Sequence, residues 1–190
     1  HKICIVGGGI TGAMMVLLLK QSNMFKLSEI GWIKPYSRSE DDLRTTFYNK
    51  ASLELLENLK VLKNIKKSDL TPVKRIKVFG DKNASPLIWD YKDENTKLGA
   101  VIKNNIILKN LEDQLKDIKQ YNSFVNNTKS DNFERTLYLE NKTTIKTHLV
   151  ISADGKNSYL RKLLSINTIN KNIKHIAVSG FLKQSNHHNS

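Results

Sequence analysis

The stretch KICIVGGGITGAMMVLLLKQ, residues 2 to 21, leaves the chain few folds to choose from. Ile3 to Val6 form a short apolar run with β-branched residues, the pattern of a parallel strand buried on both faces. Gly7, Gly9 and Gly12 follow in G-x-G-x-x-G spacing. In a strand–turn–helix unit the first glycine permits the tight turn and the second lets the backbone approach a pyrophosphate. The third allows close packing of helix on strand. Ala13 to Lys20 continue as a helix whose amino end aims free N–H groups and a positive dipole end at a phosphate. The membrane alternatives fail on the same residues. Three consecutive glycines interrupt the apolar segment a signal peptide needs, and no cleavage pattern follows. Only AMMVLLL, Ala13 to Leu19, runs uninterrupted after them, against the roughly 20 apolar residues of a spanning helix.

A dinucleotide-binding unit carries an acidic residue about 20 positions further on, at the end of the second strand, for the ribose hydroxyls. The segment MFKLSEI offers Glu29, which reads either as that acid or as a solvated residue at a strand end. The candidate cofactor contacts of this unit are Gly7, Gly8, Gly9, Ile10, Thr11, Gly12 and Glu29. They do not by themselves distinguish FAD from NAD.

Charge raises the question of nucleic acid, since the 190 residues carry a formal net charge of +13. Only five of the 31 basic residues are Arg, and the Lys residues are scattered apart from KNIKK, Lys63 to Lys67. A nucleic-acid surface would show a basic stripe with interleaved aromatics or a known motif. Neither is present, so nucleic acid is not an expected partner; attraction to anionic lipid fits the charge better. The single Cys4 sits in the strand pattern and reads as a buried structural thiol, consistent with a reducing compartment. The five His residues lack ligand spacing for a metal, and no Ser-His-Asp arrangement is identifiable.

Further along, DDLRTTFYNKASLELLENL (residues 41 to 59) places Asp42 and Arg44 in a polar loop before Leu53, Leu55, Leu56 and Leu59 at near-helical spacing. RIKVFGDKNASPLIWDY (75 to 91) reads as two strands around an Asn-Ala-Ser turn, and NNTKSDN (126 to 132) as a polar hairpin-like loop. THLVISADGKNS ends a buried strand in a turn, before a helix beginning within KNSYLRKLL. Asp154 stands at that strand's carboxyl end, where open α/β sheets bind ligands, and equally where a carboxylate caps a helix.

With the amino-terminal glycines, Asp42-x-Arg44 before Ser52-Leu53 and the A-D-G-x-x-S-x-x-R pattern at Ala153, Asp154, Gly155, Ser158 and Arg161 resemble flavin monooxygenases related to para-hydroxybenzoate hydroxylase. The chain is most similar to the ubiquinone-biosynthesis hydroxylases of that group. The resemblance implies an α/β fold: a Rossmann-like FAD-binding βαβ domain over 1–72 and 98–165, with part of a β-sheet substrate domain over 73–97 and 166–190. It implies FAD, with Arg44 against its phosphates, the Asp154-Gly155 turn beside the pyrophosphate, and Val125 near adenine. The segment LGAVIKNNIILKNLEDQL departs from the family, carrying Lys103, Asn104 and Asn105 where a Glu-Asn-Arg stretch is usual.

The implied reaction takes electrons from NAD(P)H and oxygen from O2 to hydroxylate a prenylated phenol, with other ubiquinone-biosynthesis proteins as partners. The expected location is the cytoplasm with peripheral contact on the inner membrane face. Nothing in residues 165 to 190 resembles the family's second FAD motif, so the chain reads as an amino-terminal half, inactive by itself and exposing apolar surface. The alternatives are a non-catalytic nucleotide-binding fragment, another FAD-dependent oxidoreductase of the group, or a plain NAD-binding module.

Overall fold

The computed structural model describes residues 1–35, 42–80, 85–90 and 97–169. Four parallel strands form its centre: β1 (Ile3–Val6), β2 (Ile30–Ile33), β8 (Lys119–Tyr121) and β12 (Leu149–Ser152), in the spatial order β12-β1-β2-β8. Side chains alternate across this sheet, as the two-residue period of a strand requires. Ile3, Ile5, Ile30 and Trp32 enter one buried cluster with α1 (Ile10–Gln21) and α3 (Asn104–Asp113), through Ala13, Val16, Leu17, Ile107 and Leu111. Cys4, Val6 and Ile33 enter a second cluster on the opposite face, with Val125, Leu137, Leu139, Ile145 and Leu160. Burial on both faces explains why β1 and β2 are apolar at every position but Gly31.

The second cluster is roofed by an antiparallel meander of β9 (Val125–Ser130), β10 (Arg135–Leu139) and β11 (Thr144–Thr147), and by the short helix α4 (Tyr159–Leu163). A third sheet orders β3 (Thr45–Asn49), β7 (Gly99–Lys103) and β4 (Thr71–Val73), all antiparallel; helix α2 (Lys50–Asn58) follows β3. Asn49 caps α2 by accepting from the Ser52 N–H at 2.9 Å. The pair β5 (Arg75–Val78) and β6 (Leu87–Asp90) stands as a separate antiparallel ribbon. It leaves Val78, Leu87, Ile88 and Trp89 exposed.

The α/β architecture, the first strand–turn–helix and the strand before α4 agree with the sequence expectations. Two readings are corrected. The second strand is IGWI rather than MFKLSEI, so Glu29 closes a 3-10 turn (Leu27–Glu29) ahead of β2 instead of ending it. NNTKSDN is not a loop, since residues up to Ser130 belong to β9. This strand lies at the edge of its sheet and buries only Val125 fully, so it shows no apolar alternation to read. Residues 170–190, with His175, His187 and His188, and most of the Asn-Ala-Ser turn lie outside the described residues.

Candidate functional site

All four parallel strands end on the same side of the sheet, and the glycine turn lies there between β1 and α1. Its backbone is tied to the neighbouring strand ends: Gly7 N–H donates to Ile33 O at 2.9 Å and Ala153 N–H to Val6 O at 2.7 Å. Two glycines are required by close approach to backbone, and a Cβ at Gly8 would stand 2.9 Å from Lys34 Cβ. Gly7 adopts φ +136°, and a Cβ there would stand 2.1 Å from Ala153 O. A Cβ at Gly12 would stand 2.1 Å from Gly7 O, because the first turn of α1 packs directly on the loop. Trp32, fully buried, donates its Nε1–H to that same Gly7 oxygen at 2.9 Å. Trp32→Phe, which removes this donor and leaves the buried Gly7 carbonyl one partner short, is expected to cost about 1–3 kcal/mol in denaturant unfolding.

Gly9 behaves differently. It is exposed, and a Cβ there would meet nothing within 4 Å. It is also the N-cap of α1, with no side chain capping the helix and no acidic residue in the first turn. The free N–H groups of α1 therefore face open space, an arrangement that suits a phosphate. The space belongs to a cavity of about 310 Å³ at the carboxyl ends of β1, β2 and β12. Gly7, Gly8 and Gly9 line one side, and Ser123, Phe124 and Val125 another; Asp154 and Gly155 complete the wall with Tyr159. The crevice beyond the carboxyl ends of a parallel sheet is where such folds bind ligands.

The structure thus brings Gly7, Gly8, Gly9, Val125, Asp154 and Gly155 to one cavity, with Ile10, Thr11 and Gly12 in the first turn of α1 beside it. Asp154 also does what a cap does. Its Oδ2 accepts from the N–H groups of Tyr159 at 2.7 Å and Leu160 at 3.2 Å, and Ser152 Oγ donates to Oδ1. Burial pushes this carboxyl up, but hydrogen bonds from the Ser152 and Ser158 hydroxyls and the Leu160 N–H outweigh it, leaving the pKa below its ordinary value. A lowered carboxyl stabilises the fold above the ordinary Asp range, and that contribution disappears as pH falls through the lowered value. Asp154→Ala is expected to cost about 1 kcal/mol at neutral pH and to flatten the acid limb of the unfolding profile.

Two expected contacts fall elsewhere. Glu29 sits at the amino end of β2, opposite the cavity, where its Oε1 pairs with Lys2 Nζ at 2.9 Å and its Oε2 accepts from the Lys26 N–H. The Lys2 hydrogen bond, with the Lys26 N–H, holds that carboxyl below its ordinary value. The residue that does follow β2 is Lys34. Its ammonium bonds Glu112 Oε1 on α3 at 2.6 Å and lies 4.6 Å from the centre of the Trp32 ring. Lys34 therefore occupies the place expected for the ribose acid. Arg44 is 78% exposed and chelates the Asp42 carboxylate through Nε and Nη2 at 2.7 and 2.8 Å; it is not part of the cavity wall. Its backbone carbonyl accepts from Asn104 N–H at 2.9 Å, so the Arg44 loop lies beside the first turn of α3. Here Asn105 holds a buried Oδ1 with no partner among the described residues.

These features fit FAD: space above Gly9, a helix amino end without a cap, and an orphaned buried acceptor beside the Arg44 loop. Phe124 and Tyr159 carry no motif and escaped sequence reasoning; only the placement of Val125 pointed to that part of the wall. Among the described residues no cluster of His, Cys, Asp or Glu could hold a metal, and no helix is long and apolar enough to cross a membrane. Cys4 is buried and its thiol is pushed up to about 12 by desolvation. Burial keeps this thiol protonated and out of reach of reagent, so alkylation of the native protein is expected to track unfolding.

Comparison with known proteins agrees with the geometry. The ubiquinone biosynthesis monooxygenase COQ6 of Dictyostelium discoideum is 25% identical, over 96% of this chain and 43% of its own length. The 3-demethoxyubiquinol 3-hydroxylase of Escherichia coli is 26% identical, over 87% of this chain and 44% of its own. The chain therefore spans less than half the length of these curated relatives. Among solved structures, PqsL of Pseudomonas aeruginosa superposes with a TM-score of 0.71 at 16% identity, covering 90% of this chain and 47% of that one. The p-nitrophenol 4-monooxygenase PnpA of Pseudomonas putida gives 0.68 at 15%, covering 86% and 43%. Both identities are low enough to speak for the fold alone. Residues 1–182 match the FAD binding domain family, and with the glycine turn, the cavity and the Asp154-Gly155 turn in their places the chain belongs to that family.

Proposed function

We propose that the protein carrying this chain is a FAD-dependent monooxygenase that hydroxylates the ring of a prenylated phenol in ubiquinone biosynthesis. In this reading the chain supplies the half that holds the adenosine and pyrophosphate of FAD. The observation that carries it is the turn at Gly7–Gly12, whose open side at Gly9 faces the cavity between the carboxyl ends of β1 and β12. The names of the curated relatives supply the substrate class.

Residues 1–72 and 98–165 form the FAD-binding part, and 73–97 with 166–190 the start of the substrate side. Gly7, Gly8, Gly9, Ile10, Thr11 and Gly12 present backbone to the pyrophosphate. Val125, Asp154 and Gly155 shape the wall opposite, and Arg44 approaches a phosphate once it leaves Asp42. The chemistry FAD supplies when bound is two-electron transfer from NAD(P)H to O2, one oxygen atom entering the ring and the other leaving as water. The chain's share of that chemistry is to bind and orient the cofactor. Enclosing the ring against water belongs to the rest of the protein.

The direct test is oxygen uptake by the full-length protein with NAD(P)H and a prenylated phenol, with product identified by mass. A gain of one oxygen atom in the phenol supports the reading. NAD(P)H oxidation that gives only reduced oxygen species with every phenol tried would point to another oxidoreductase of the family. Peripheral contact with an anionic membrane surface, on the inner membrane face, is the reading that the net charge of +13 supports. Flotation with anionic vesicles, lost in 0.5 M salt, is the expected result; absence of flotation at low salt would remove this part.

A further inference from the structure

The end of β2 holds the peptide that joins Gly7 to Gly8 at three points. Gly7 N–H donates to Ile33 O at 2.9 Å. Gly7 O accepts from the Trp32 Nε1–H at 2.9 Å. Gly8 rests on Lys34, since a Cβ at Gly8 would stand 2.9 Å from Lys34 Cβ. The indole in the second contact has no room to turn away. Trp32 is fully buried in the cluster shared with α1 and α3. Lys34 Nζ stands 4.6 Å from its ring centre and is itself bonded to Glu112 on α3 at 2.6 Å.

The direction of this carbonyl sets the direction of the next donor. A trans peptide points its C=O and the following N–H opposite ways. No cis peptide bond occurs among the described residues. With Gly7 O drawn toward the buried indole, the Gly8 N–H is turned away from the core. It has no acceptor among the described residues, and Gly8 lines the cavity. Two glycines in a row offer little steric resistance to the reverse peptide orientation. A flip here would leave the buried Nε1–H unpaired and aim a carbonyl oxygen at an anion in the cavity.

We infer that Trp32 is a positioning residue for nucleotide binding: its Nε1–H fixes the Gly7–Gly8 peptide so that the Gly8 N–H is presented to the pyrophosphate. This deepens the FAD reading and rests on it. Trp32 does not line the cavity and acts only through the turn. Its donor therefore contributes to affinity as well as to stability, whereas an ordinary side chain of the same cluster contributes to stability alone.

The test is calorimetric titration of the full-length apoprotein with ADP and with FAD, well below the thermal transition. Trp32→Phe is expected to weaken both about tenfold, the effect of one misdirected charge-assisted hydrogen bond. Benzothienylalanine at position 32 keeps the two-ring shape and exchanges the N–H for sulfur; the same loss is expected. Ile118→Val, a truncation in the same cluster, is the control, with a lowered unfolding midpoint and parent affinity. Parent-like affinity in the benzothienylalanine protein would overturn the positioning role, whether or not Trp32→Phe folds, and leave the FAD reading standing. Equal weakening by Ile118→Val would also overturn it, since lost stability alone would then account for the effect. A parent that binds neither ADP nor FAD would overturn the FAD reading itself.

Discussion

Gly12→Ala is expected to destabilise the chain by about 3 kcal/mol or more, and to do so with or without nucleotide. The added methyl would stand 2.1 Å from the Gly7 carbonyl oxygen, far inside contact distance. Neither side can yield cheaply. Gly12 is buried in the first turn of α1, which is fixed on the sheet by Ala13, Val16 and Leu17. The Gly7 oxygen is held from the other side by Trp32. Relief would mean lifting α1 from the sheet and opening the larger of the two buried clusters. Loss of the cooperative transition in urea, or a midpoint far below the parent, is the expected reading. Parent-like unfolding of this variant would mean that the helix does not pack on the turn as described.

Gly9→Ala should separate binding from folding. A methyl at Gly9 meets nothing within 4 Å in the protein, so the thermal transition should move by only a degree or two. The same methyl would project into the space beside the free N–H groups of α1. There it would hold a pyrophosphate away from the backbone and lengthen several charge-assisted hydrogen bonds together. A fall of about 100-fold in FAD affinity is expected, equivalent to about 2.7 kcal/mol. Equal FAD affinity in parent and variant, measured by fluorescence titration, would move the phosphate off this turn.

The contrast between these two glycines shows what the sequence could convey. G-x-G-x-x-G after Ile3–Val6 announces a strand, turn and helix because Gly7 and Gly12 answer steric demands within the protein while Gly9 leaves room beside the helix end, and their spacing is local. The second strand was misplaced because Gly31 and the indole of Trp32 interrupt the β-branched pattern of IGWI, and because Glu29 looked like the awaited acid. Only the pairing of β2 with β1 shows that Ile33, not Glu29, lies level with Val6. The meander was hidden for a different reason. An edge strand such as Val125–Ser130 is held by ladder hydrogen bonds to β10, which leave no mark in hydropathy. Asp154 was correctly placed at a strand end, yet its hold on Tyr159 and Leu160 depends on a turn whose shape the residues alone do not dictate. Arg44, read from a motif, is engaged with Asp42, two residues away.

The central claim is that this turn and cavity hold FAD, and the absorbance spectrum of the purified full-length protein tests it most directly. After gel filtration the protein should keep the paired near-ultraviolet and blue bands of oxidised flavin. Acid release should yield one FAD per chain, and Gly9→Ala should lose the bands under the same treatment. A colourless, folded protein that regains no bands with added FAD would contradict the account.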